Sequence, residues 1–187
     1  LYFNDLSNVS TLAQITSTEY VYVNMQRSQN YGFNSNLNFS RKNFIVDAGI
    51  TVKGRRSQFE TEGPFSNGSF YTEFKINPSY HFAKANTTLN IFYKFTGNMP
   101  NFIIDAEGVI SENRRDEYNM LDFTATSKFW KGRVGLTLGV KNILDVTSIQ
   151  GSSAGGAHES GGSSISIGMG RTYFTSLTFQ FNQPIKK

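Results

Sequence analysis

The chain has 187 residues, 38% of them hydrophobic and 17% charged, with 17 Phe, 9 Tyr and no cysteine. Disulfides and thiolate metal sites are therefore excluded, and the formal charge of +4 is scattered among polar segments, without the basic run that would track nucleic acid. No stretch approaches the roughly 18 consecutive apolar residues of a spanning helix, so any membrane crossing is expected to be made by strands of a closed barrel. The chain has no signal peptide and begins at Leu1 without a methionine; its N-terminus is expected to be a cut end, from processing or because it is one piece of a longer polypeptide.

In chain order, Leu1–Leu6 reads as the tail end of a strand and Ser7–Thr18 as a polar connection. Glu19–Ser40 reads as one long twisted strand interrupted near Arg27–Asn30, in which Phe33, Leu37 and Phe39 alternate with Asn34, Asn36 and Asn38. After a short turn at Arg41–Asn43, Phe44–Lys53 sets Val46, Ala48, Ile50 and Val52 against Asp47, Gly49, Thr51 and Lys53. A loop over Gly54–Gly68 leads to a strand over Phe70–Phe82, and a short link to another over Leu89–Phe95. Gly97–Glu117 reads as a long loop, Tyr118–Trp130 as a strand, Lys131–Arg133 as a tight turn and Val134–Lys141 as a strand. Asn142–Met169, rich in Gly and Ser, is the longest loop, and Gly170–Phe181 is the last strand, with Tyr173, Thr175, Leu177, Phe179 and Phe181 on one face.

Short connections after Ser40, Phe82 and Trp130 alternate with long ones after Leu6, Lys53, Thr96 and Lys141. Such segregation is expected of a barrel with tight periplasmic turns and long extracellular loops, with the C-terminus on the periplasmic side. The polar faces suit a wet or plugged lumen, the apolar faces suit lipid, and Tyr80, Phe82, Phe129 and Trp130 at strand ends suit an interfacial girdle. A soluble β-sandwich, with these aromatics packed on its core, is the competing reading.

Several runs carry a family resemblance. Leu136–Thr147, with Gly139, Val140, Lys141, Asn142, Ile143, Leu144 and Asp145, resembles the penultimate-strand signature of TonB-dependent outer-membrane receptors. The segment around Tyr22, Asn24 and Gly32 is similar to another strand of that family, with Asn34 where Glu is frequent, and Phe92–Ile104 is similar to a segment of its Bacteroidetes members. Gly170–Phe181 resembles the closing strand, in which Tyr173, Phe179 and Phe181 form the signal read by the barrel-assembly machinery; Ser176 stands where glycine is common, and Asn182–Lys187 follow as a periplasmic tail.

The resemblance implies an all-β fold: an antiparallel transmembrane β-barrel segment over residues 1–181, about the last eight strands of a larger plugged barrel of roughly 22. It implies location in the outer membrane of a Gram-negative bacterium and a transporter that takes up a bulky scarce nutrient: a ferric siderophore, haem, cobalamin, an oligosaccharide or a peptide. The implied partners are the remainder of the receptor (plug and upstream barrel strands), the TonB complex through the missing N-terminal part, the assembly machinery, the lipid bilayer and, in glycan-importing members, a surface lipoprotein.

No nucleophile elbow, triad context or complete phosphate loop is present, so neither catalysis nor a cofactor is expected. His158 beside Glu159 lacks the further ligands a metal site needs. Glu73 and Asp122 are expected to pair with charges across strands or on a plug. For ligand capture, the expected residues are Arg55, Arg56, Phe59, Arg114, Arg115 and His158 in the three long loops. The competing functional readings are a small standalone eight-stranded barrel with an adhesin or structural role, for which Leu1–Leu6 is too short a strand, and an outer-membrane hydrolase.

Overall fold

Period-two alternation of β-branched and aromatic residues with Asn, Thr and charges produces strands along nearly the whole chain. The computed structural model describes residues 1–16, 19–59, 63–105, 107–151 and 163–181. Among these residues twelve strands form one sheet: β1 (Tyr2–Gln14), β2 (Tyr20–Arg41), β3 (Phe44–Gln58), β4 (Ser69–Phe82), β5 (Thr87–Thr96), β6 (Met99–Ile104), β7 (Ile110–Arg115), β8 (Tyr118–Phe129), β9 (Val134–Lys141), β10 (Ser148–Gly151), β11 (Ser163–Ser166) and β12 (Thr172–Phe179). No α-helix occurs among the described residues, and none of the helical turns is long and apolar enough to cross a membrane.

The spine is an antiparallel meander in the order β1-β2-β3-β4-β5-β8-β9-β12. Its register keeps each face continuous across strands: Leu37 opposes Ala48, which opposes Ile76, while Asn38 opposes Asp47, which opposes Asn77. The polar face is laced by side-chain hydrogen bonds such as Asn90 Nδ2 to Asn77 Oδ1 (2.8 Å) and Thr126 to Thr137 (3.0 Å). The apolar face is left uncovered, with Phe33, Leu37, Ile50, Ile91, Leu138 and Leu177 all exposed. At one rim the links are tight: Lys42 (φ 53°) turns β2 into β3, and single 3-10 turns over Ala83–Ala85 and Trp130–Gly132 serve the next two. The Tyr80 and Phe82 rings meet edge to face at that rim, 4.6 Å apart, and Trp130 is exposed.

Five sequence expectations are corrected. Ser7–Gln14 is strand rather than connection, because β1 stays paired with β2 from Tyr2↔Gly32 to Gln14↔Tyr20; the link that remains on that rim is short. Likewise β3 continues through Gly54–Gln58 against the upper part of β2. Gly97–Glu117 is not a plain loop but holds the β6–β7 hairpin, and the segment after Lys141 holds β10 and β11. The last strand ends at Phe179, although Gln180 still donates its N–H to the Arg133 carbonyl. The alternation of burial in β2 shifts phase between Met25 and Ser28, opposite the left-handed Asn8 (φ 54°) of β1. Above that shift Val9, Ala13, Val23 and Met25 turn inward.

The packed core belongs to this upper region. Ala13, Met25 and Phe102 are buried together, flanked by Val9, Val23, Phe59, Ile104 and Ile110. Only two residues, Gly97 and Asn98, separate β6 from β5, yet β6 pairs in parallel with β1 at Ala13↔Phe102 and Gln14↔Ile103 and also touches β4. The hairpin therefore lies across the polar face of β1–β4 at the long-loop end.

Candidate functional site

Alternation places Asn30 of β2, Lys53 and Arg55 of β3, and Tyr71 and Glu73 of β4 on the polar face beneath β6. Phe102 is the latch: the Arg55 guanidinium lies over its ring at 5.3 Å, and the Phe59 ring meets it edge-on at 5.1 Å. Next to the latch is a cavity of about 240 Å³, lined by Tyr2, Asn30, Lys53, Arg55 and Tyr71 from the sheet and by Met99 and Pro100 from the hairpin. Lys53 Nζ lies 3.1 Å from Glu73 and 5.2 Å over the Tyr71 ring, while Arg55 Nε reaches Asn30 Oδ1 at 3.4 Å. Around the hairpin, the hydroxyls of Ser57, Ser69 and Thr96, the Asn101 amide and Arg115 Nε are buried without a protein partner among the described residues. Buried polar groups are normally satisfied, so this polar, cationic and aromatic lining is suited to binding a polar or anionic group. Among the described residues no three His, Cys, Asp or Glu side chains converge as a metal site does, and His81 lies near the short-turn rim, bonded to Thr88 at 3.1 Å.

The Gly139–Asp145 run forms a knot at the long-loop end of β8, β9 and β12. Asn142, left-handed at φ 51° and nearly fully buried, donates from Nδ2 to the carbonyls of Val146 (2.9 Å) and Met169 (3.2 Å) and accepts the Val146 N–H on Oδ1 (3.1 Å). Its own N–H is held by Asp122 at 2.8 Å, so Asp122 caps this turn, and no charge pairs with it across the strands among the described residues. Asp145 accepts the Arg171 N–H at 2.7 Å, and the Arg171 guanidinium donates to the Ile143 carbonyl at 2.7 and 3.0 Å. A Cβ on Gly139 would collide with the Phe174 ring, which lies flat across it with Lys141 Nζ 5.7 Å above.

On the opposite, apolar face the register aligns Phe3, Tyr31, Gly54 and Phe70 in one row. The Tyr31 and Phe70 rings close over Gly54, where a Cβ would strike both. One step farther from the short-turn rim the row is Asp5, Gln29 and Arg56. Arg27 grips Asp5 with Nε (2.8 Å) and Nη2.

A family model described as "Outer membrane protein beta-barrel family" matches residues 3–179. The chain belongs to this outer membrane β-barrel family. Its apolar face is accordingly the lipid face and its polar face the lumen side, and the protein resides in the outer membrane. A chain in the structure of the FpvAI–pyocin S2 complex is similar in fold, with a TM-score of 0.59 at 14% identity; the match covers 94% of this chain and 22% of that one. No curated protein matches. A larger groove, about 430 Å³, lined by Phe123, Leu138, Val140 and Tyr173, opens on the lipid face of the barrel strands and is suited to acyl chains.

The residues expected to capture ligand are divided by this geometry. Arg55 and Phe59 face the lumen and meet at Phe102; Arg114 and Arg115 lie on β7, opposite Pro100 and Met99. Arg56 points to the lipid side, over the Phe65 ring. His158 and the tail Asn182–Lys187 lie outside the described residues. Tyr173, Phe179 and Phe181 are all exposed on the outer face, Phe179 and Phe181 stacked near the short-turn rim and Tyr173 at the far end of β12. Sequence reasoning missed Asn30, Lys53 and Tyr71 as cavity residues. Their place on the polar face was visible, but the hairpin that makes that part of the face a pocket was not.

Proposed function

We propose that this chain is the C-terminal barrel portion of a TonB-dependent receptor, and that the lumenal cavity under β6 helps hold a bulky nutrient before passage through the barrel. The observation that carries this reading is the β6–β7 hairpin crossing the lumenal face to form a cationic, aromatic pocket at the extracellular end. A barrel with a purely structural role needs no such inward hairpin. Two further features support it. The spine leaves free the outer edge of β12 and the Phe33–Arg41 edge of β2, where further strands can pair, and the fold matches about a fifth of a much longer chain. In this reading the other strands, a plug and the TonB-contacting segment come from the rest of the polypeptide. Candidate cargoes are those the resemblance implies, with polar or anionic members favoured by Lys53 and Arg55.

The test is the native polypeptide together with uptake. A mass about four times the 21.0 kDa of this chain is expected for a barrel of roughly 22 strands with a plug. Uptake of the cargo should stop on dissipation of the proton gradient and fall in an Arg55→Ala, Lys53→Ala variant. A native protein encoded with no plug-like domain sinks the proposal. The alternative of a small standalone barrel gains from the 13 residues of β1, enough to span; against it, β1 and β12 do not pair with each other. A closed eight-stranded barrel formed by this chain alone would establish that reading.

A further inference from the structure

The lipid-facing surface holds a second cationic site, independent of the transport reading. Along β3, Phe44 to Gly54 spans the roughly nine to eleven residues that carry a strand across a bilayer, and Gly54 lies in the aromatic row of Phe3, Tyr31 and Phe70, of which Phe3 and Phe70 are exposed and Tyr31 is half-buried. Such a row marks a membrane–water interface. The very next outward-facing row is Asp5, Gln29 and Arg56, so the surface changes from aromatic to polar and ionic in one register step at the level of the outer-leaflet headgroups.

The charges there are arranged rather than scattered. Arg56 and Arg27 lie on neighbouring strands and share the Phe65 ring, with guanidinium carbons 5.3 and 5.8 Å from its centroid. Asp5 occupies Nε and Nη2 of Arg27, fixing that guanidinium while leaving its Nη1 edge available. Arg56 is exposed and has no acidic partner among the described residues. Among the described residues, two guanidiniums thus face one carboxylate. Planar guanidiniums held by stacking lose little freedom on binding and match a phosphate through paired hydrogen bonds. Their position on the lipid side, at headgroup depth, selects a ligand that is itself part of the membrane.

We propose that Arg27 and Arg56, held by Phe65 and Asp5, form a lipid-side site for the phosphate of a phosphorylated glycolipid headgroup in the outer leaflet. The native protein, extracted in detergent, is titrated with bisphosphorylated lipid A and with the same lipid stripped of phosphate, and binding is followed by native mass spectrometry. The expected result is about tenfold weaker binding of the phosphorylated lipid by R27Q/R56Q, a similar loss for wild type with the stripped lipid, and partial retention by R27K/R56K. Unchanged heat-resistant migration of the variants establishes that the barrel has folded. Should the double variant fail to assemble, R56Q, which removes no ion pair, takes its place with an expected loss of about threefold. Equal binding of stripped and phosphorylated lipid, or equal binding by variant and wild type, overturns the proposal. Inorganic phosphate binding as tightly as the lipid overturns it too, by assigning the site to free anions.

Discussion

The barrel strands and the cap at the long-loop end of this molecule are stabilised in opposite ways. In the meander from β2 to β12, ladder hydrogen bonds satisfy the backbone and the apolar side chains point outward, so their burial is supplied by lipid. In the cap, Phe102 is buried against Ala13 and Met25 as in a soluble domain, and the hydrophobic contacts are internal. One chain thus holds an inside-out half and a right-way-out half, joined where burial in β2 shifts phase between Met25 and Ser28. The lesson is that apolar alternation means lipid contact in one part of this strand and core packing in the other.

The sharpest way to break the cap without the barrel is Phe102→Ala. It removes the ring that Arg55, Phe59, Ala13 and Met25 pack around, and truncating a buried phenylalanine costs about 3–5 kcal/mol. Hydrogen exchange should quicken in β6, β7 and the upper part of β1, while the heat-resistant migration typical of the folded barrel persists. Loss of that migration would mean that cap and barrel form one cooperative unit. The converse pair tests the barrel. Leu37→Arg places a charge on the exposed lipid face, costing about 2–4 kcal/mol near midplane, whereas Asn36→Arg, one residue away on the lumen side, should leave folding in lipid vesicles nearly unchanged. Equal effects of the two would invert the assignment of faces.

What was legible in the sequence follows the same division. Val46, Ala48, Ile50 and Val52 alternate with Asp47, Gly49, Thr51 and Lys53, so strand and face were readable from a local period of two. The cap was not. SNVSTLAQ, residues 7–14, carries no clean apolar face because only Val9 and Ala13 pack into the small core, and MPNFII, 99–104, pairs with β7 but is placed on the sheet by two further pairs with β1, some ninety residues away in the chain. Contacts of that range leave no local period. The site divides likewise: Arg55 and Phe59 could be named from the segment after Lys53, but their convergence on Phe102 needed the hairpin. That Arg56, the next residue, faces lipid depends on β3 continuing to Gln58, beyond the expected strand end.

Asn142→Ala tests whether the rim knot belongs with the barrel or the cap. It leaves the carbonyls of Val146 and Met169 without their donor and puts alanine at φ 51°, where asparagine is tolerated. The expected cost is about 2–3 kcal/mol, read as faster hydrogen exchange at the upper ends of β8, β9 and β12. Asn142→Gly should recover the backbone part only. Protection lost in β6 and β7 as well would tie the knot to the cap.

Gly139→Ala is expected to have the smallest effect and gives the finest test. The residue sits at an ordinary strand position, so its backbone needs no glycine; what excludes a methyl group is the Phe174 ring laid across it. The ring can swing only by leaving its place beside Lys141, which makes the cost that of mild overpacking, about 1–3 kcal/mol. Phe174 is also the aromatic that breaks the polar face of β12, where Thr172, Ser176 and Thr178 are its neighbours on the lumen side. If it is there to cover the glycine, Phe174→Ser should destabilise on its own and also remove most of the penalty of Gly139→Ala. A double-mutant cycle by unfolding in lipid vesicles measures that coupling. Strictly additive losses would mean that the glycine answers to something other than the ring.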